Sequence, residues 1–206
     1  MTIEQAPRIP REIIGLLAEE LQTSERDLLV EEVTAQYPWV RRHSLYLGSS
    51  RSRTGRGATL TVARSGQAPP LALGGQSGLS ALSALLVRER AAIPGGLTAG
   101  ELAEAIRRLS VAPRGLVGGP ETLDESLIPA SESFCDGDKA EQERLRERMC
   151  QAPELQEHAG SWELRFFFWN PAGGVELWNV AGDASRIVSM RKDCAAPNGS
   201  FHWPWC

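Results

Sequence analysis

The chain has 206 residues, 42% of them hydrophobic and 23% charged, enough apolar material to build a core without disulfide staples. A formal net charge of -4 gives no overall pull towards a polyanion or a polycation, which argues against a nucleic-acid partner. The opening MTIEQAPRIPREIIGLL lacks the cationic and long apolar regions of a signal peptide, and no run approaches a membrane span, so the expectation is a cytoplasmic protein with no membrane partner and with its four cysteines as thiols.

The first 110 residues read as a mainly helical portion with a small β-sheet. Pro10 suits a first helical turn, and Ile13, Leu16, Leu17 and Leu21 follow at helical spacing. Thr23 or Ser24 is placed to cap a second helix carrying Leu28, Leu29 and Val33 and ending near Pro38. From Arg41 to Arg64 there are six arginines and no acid, and GSSRSRTGRG in the middle has loop composition. The segment 58–63 (ATLTVA) predicts a strand, with 69–73 (PPLAL) as its partner. Gly74 and Gly75 lead into an apolar helix over 79–90, broken by Pro94-Gly95-Gly96. Thr98 and Glu101 form a capping box for a further helix whose inner face is Leu102, Ile106 and Leu109.

Residues 111–136, rich in Pro, Gly and acids, read as a connecting segment. Residues 137–206 predict a helix over 139–151 and then an aromatic-rich antiparallel meander of three or four strands. In 161–169, Trp162, Leu164, Phe166 and Phe168 share one face, while Glu163, Arg165, Phe167 and Trp169 share the other. Asn170 to Gly174 is a turn, 175–181 and 186–192 are strands separated by a turn at Gly182-Asp183, and a short fourth strand follows around Ser200–Trp203. The fold class is therefore α+β.

Five of the six tryptophans lie in the last 45 residues. Aromatic side chains dominate both cores and binding surfaces, so a strand with aromatics on both faces is either buried on both sides or presents a platform. The functional reading is a non-enzymatic binding or accessory protein that engages a peptide or protein partner, or itself as a homodimer, through this sheet. Its contact residues are Phe167, Trp169, Trp178 and Trp203, with Arg165 orienting a carboxylate or carbonyl. A weaker anion site combines Arg51, Arg53 and Arg56 with Gly75 and Ser77, where backbone N–H groups open a helix. Twenty arginines against two lysines point to GC-rich coding, as in many bacteria, which weakens the reading of any single arginine.

No cofactor or metal is expected. Cys194, His202 and Cys206 with Cys135 or Cys150 lack the close paired spacing of a structural zinc site. Cys135 sits among acids that blunt a thiolate, and GGQSGLS lacks the frame of a nucleophilic serine. Two alternatives remain: an enzyme whose site forms between the two portions from His43 or His158, scattered acids and the 41–64 basic patch, and a nucleic-acid-binding regulator.

Overall fold

The computed structural model describes residues 9–50, 58–66, 68–74, 78–89, 96–111, 116–119, 147–170 and 174–194. The chain divides into two compact units, 1–90 with 109–111 and 91–108 with 112–206. The α+β class holds: helices accompany two antiparallel sheets, one of four strands and one of five.

In the first unit, helix α1 (Arg11–Glu20) buries Ile13 and Leu17, four residues apart on one face. It packs on the sheet β1 (Leu28–Glu32), β2 (Ser44–Ser50), β3 (Thr59–Arg64) and β4 (Leu71–Ala72), ordered β1-β2-β3-β4. Ile13 and Leu17 join Tyr46, Leu60 and Val62 in one core cluster, with Leu28, Val30 and Ala72 packed at its edge. Gly48 leaves the room that Leu17 fills, since a Cβ there would lie 2.7 Å from a Leu17 methyl. Helix α2 (Gly78–Glu89) buries Leu82, Leu85, Leu86 and Glu89.

Two expectations fail here. The second helix expected after Thr23 or Ser24 and ending near Pro38 does not form: 3-10 turns at Glu25–Asp27 and Thr34–Gln36 flank Leu28–Glu32, which run as the edge strand β1. Pairing decides it, because Leu28 and Val30 reach the core cluster only when the segment lies extended beside β2. The segment GSSRSRTGRG (48–57), read as a loop, begins inside β2: Gly48, Ser49 and Ser50 belong to the strand, residues 51–57 lie outside the described residues, and the earlier part of β2, with Leu45 and Tyr46 buried on opposite sides of the sheet, was not foreseen.

In the second unit, Thr98 caps helix α3 (Ala99–Ala105): its Oγ1 accepts from the Glu101 N–H, and the Glu101 carboxylate accepts from the Thr98 N–H at 2.8 Å. The chain then widens into a π-helical turn over Ile106–Val111. The sheet comprises β5 (Leu116–Val117), β6 (Glu154–His158), β7 (Ser161–Asn170), β8 (Gly174–Asp183) and β9 (Ile187–Cys194). The meander β7-β8-β9 is as expected from the alternation, whereas β5 and β6, both paired with β7, were not foreseen. The second turn comes after Asp183, two residues later than predicted: Asp183 Oδ1 accepts from the backbone N–H groups of Ser185 and Arg186. Of the helix expected over 139–151, the described part is helical at 147–149; the strand expected at 200–203 lies outside the described residues.

Candidate functional site: the outer face of the C-terminal sheet

The even-numbered face of β7 is the core side. Trp162, Leu164, Phe166 and Phe168 are all buried. Trp178, opposite Phe166 on β8, stacks on Phe166 with ring centroids 6.0 Å apart and meets Phe168 edge-on at 6.2 Å. Its indole Nε1 donates to Glu176 Oε2 at 2.9 Å, and Lys192 Nζ donates to Glu176 Oε1 at 3.3 Å. Trp178 is thus a core residue, 4% exposed, with its polar tip satisfied inside. Phe167, on the opposite face, is 6% exposed. The Gly118 N–H donates to the Phe167 carbonyl, and Gly118 lies so close that a Cβ on it would be 3.3 Å from the Phe167 Cβ. The strand is therefore buried on both faces at its aromatic end, and neither Phe167 nor Trp178 is presented to a partner in this conformation. The Trp169 backbone pairs with Val175 and Leu116, while its side chain, like Trp203, Arg51, Arg53, Arg56, Gly75 and Ser77, lies outside the described residues.

Arg165 has a different setting. It is exposed on the odd-numbered face of β7, in a concave groove of 430 Å³ on the outer side of the sheet. Strand pairing builds the groove in rows. Glu154, Arg165, Asn179 and Arg191 lie directly opposite one another across β6, β7, β8 and β9. The next row on the same face is Gln156, Glu163, Ala181 and Ser189. The small side chains of Ala181 and Ser189 lower that part of the surface, and the long ones around them form walls. Arg191 Nε donates to the exposed Asp193 carboxylate at 3.1 Å, a contact that solvent weakens. Among the described residues, Arg165, Glu154 and Glu163 form no ion pair.

The first unit holds a second polar cluster. His43 and Glu89 are buried together, with His43 Nδ1 2.5 Å from Glu89 Oε1. The Arg41 N–H donates to Glu89 Oε2 at 2.7 Å and the Arg42 N–H to Oε1 at 2.9 Å. Burial pushes the Glu89 carboxyl up, but the Arg41 amide, the His43 ring and the Arg42 amide together pull it below its ordinary value. An ionised Glu89 takes the Nδ1 proton of His43 as a hydrogen bond, which leaves Nε2 as the other ring position. That buried Nε2 has no hydrogen-bond partner among the described residues.

Of the remaining candidates, His158 is exposed at the end of β6, opposite Ser161, and Cys150 is half-buried. Among the described residues no three His, Cys, Asp or Glu side chains gather to hold a metal, and no helix is long and apolar enough to cross a membrane.

Of the residues singled out from the sequence, Arg165 lies in this groove; the residues beside it were not singled out. Alternation in 154–158 and 187–193 was the available signal, because it places Glu154, Gln156, Ser189 and Arg191 on the polar side. Glu89 could also have been found: it falls on the stripe of Leu82, Leu85 and Leu86 within an otherwise apolar helix, where an acid demands partners.

Fold and surface thus define an α+β protein with a polar groove on the open face of an antiparallel sheet. Compared with known proteins, the chain matches no protein-family model, no curated protein and no solved structure.

Proposed function

We propose that this chain is a non-enzymatic binding protein that takes a peptide or protein partner on the outer face of its C-terminal sheet, with Arg165 holding a carboxylate or carbonyl of that partner. The observation that carries this reading is the exposed Arg165 guanidinium, without an ion pair among the described residues, in a groove where Asn179 and Arg191 stand in line with it. Planar guanidinium groups bind carboxylates through paired hydrogen bonds, and a 430 Å³ groove lies within the size range of small-ligand sites. Of the aromatic residues first expected to make contact, Phe167 and Trp178 are buried, on opposite faces of the sheet. The test is a peptide array with free carboxyl termini, probed with the wild-type chain and an Arg165→Glu variant. Retention that disappears in the variant, at an unchanged melting temperature, supports the reading. An identical set of retained peptides in both counts against it.

One observation favours a second reading, an enzyme that uses His43 as its base. A carboxylate that fixes Nδ1–H leaves Nε2 to accept a proton, the arrangement of acid–base histidines. Nε2 is buried, so this reading requires an opening that admits substrate. Alkylation of His43 by a small imidazole-directed reagent under native conditions would support it, and complete protection until unfolding would remove it.

A further inference from the structure

We propose that the groove recognises both charged ends of a dipeptide-sized zwitterion, a ligand class that rests on the peptide-binding reading above. The groove is dipolar. Its cations, Arg165 and Arg191, bracket Asn179 on β8, each directly opposite it. Its acids, Glu154 and Glu163, occupy the β6 and β7 side. Directly opposed residues in an antiparallel pair are about 5 Å apart, so two long arginine side chains can converge on one carboxylate above Asn179, whose amide adds a donor.

Glu163 lies on the same face, two residues back along β7 and diagonal to Asn179. Diagonal neighbours of this kind are about 7–8 Å apart. A fully extended two-residue chain spans about 7 Å, the scale of this backbone diagonal, so a dipeptide lying along it sets its ammonium end towards Glu163 and its carboxylate end towards Asn179 and the two arginines. A single amino acid spans about half of that diagonal. The position opposite Glu163 is Ala181, which keeps the space between the two charged ends clear for the ligand's backbone. Both signs of charge in one groove also disfavour a purely anionic ligand, since Glu154 and Glu163 would repel it.

Titration calorimetry of the full chain with L-alanyl-L-alanine, its N-acetyl derivative and its C-terminal amide tests the idea. The free dipeptide should bind at least about tenfold more tightly than either blocked form. Arg165→Gln should weaken the free dipeptide by about tenfold and leave the amide unchanged, and Glu163→Gln should weaken the free dipeptide to a similar extent and leave the N-acetyl form unchanged. All of these side chains are exposed, so the variants should melt as the wild type does. Equal binding of the N-acetyl form would overturn the two-ended site while leaving carboxylate recognition intact. Absence of heat with the free dipeptide up to about 10 mM would also overturn it, and the peptide array would then decide whether the broader binding reading survives.

Discussion

Glu89 shows how a buried carboxylate becomes tolerable: two backbone amides and an imidazole nitrogen converge on its two oxygens. Removing the charge while keeping the shape, as in Glu89→Gln, should cost about 2–4 kcal/mol, because the donors lose a charged acceptor inside the fold. Its carboxyl is held below the unfolded value of 4.5, so the contribution is fully present above that pH and disappears as pH falls through the lower folded value. Melting temperatures of the wild type should therefore fall between pH 5 and the more acid range, and those of Glu89→Gln should fall less. Parallel profiles would show that Glu89 has no such linkage. Phe167 poses the other residue-scale question. As a side chain 6% exposed, it should lose about 3–5 kcal/mol on replacement by serine, read from urea unfolding. A variant with unchanged stability and altered molar mass in light scattering would return Phe167 to the surface.

Among the elements, those with a complete local signal form as expected. Pro10 and the Ile13–Leu17 spacing set α1, and the Thr98–Glu101 capping box sets α3. The end of α1 carries strain that no pattern announces, since Gln22 has φ +49°. Gln22→Gly should stabilise the protein by about 0.5–1 kcal/mol, because glycine occupies the left-handed region without a Cβ clash. A lower melting temperature would show that the glutamine side chain supplies something the backbone does not need. Gly182 is a case of close approach. It lies opposite Trp162 on β7, and a Cβ there would run into the Trp162 ring and come within 2.6 Å of the Arg186 carbonyl oxygen. Trp162 is fixed by its Nε1 donating to the Asp183 carbonyl at 2.9 Å. Gly182→Ala should thus destabilise by about 1–3 kcal/mol, measured by chemical denaturation, and a neutral result would mean that Trp162 can move aside. The misread element is β1: Leu28, Leu29 and Val33 fit helical spacing, but a five-residue segment has too few periods to separate helix from strand.

At the scale of the whole molecule, ligand binding through the groove should weaken as salt rises from about 0.05 to 0.5 M, since exposed guanidinium groups are screened. Salt-independent affinity would shift attention from Arg165 and Arg191 to apolar surface. Composition and alternation determined by themselves the α+β class and the three-stranded meander, because these follow from periodicity along a single stretch of chain. Only the tertiary structure decided what depends on residues distant in sequence: the pairing that makes Leu28–Glu32 a strand, the burial of Phe167 and Trp178 on opposite faces of one sheet, the meeting of His43 with Glu89, and the alignment of Glu154, Arg165, Asn179 and Arg191. Strand register sets that alignment, and register is fixed by hydrogen bonds and by packing between strands rather than by any one strand's own residues.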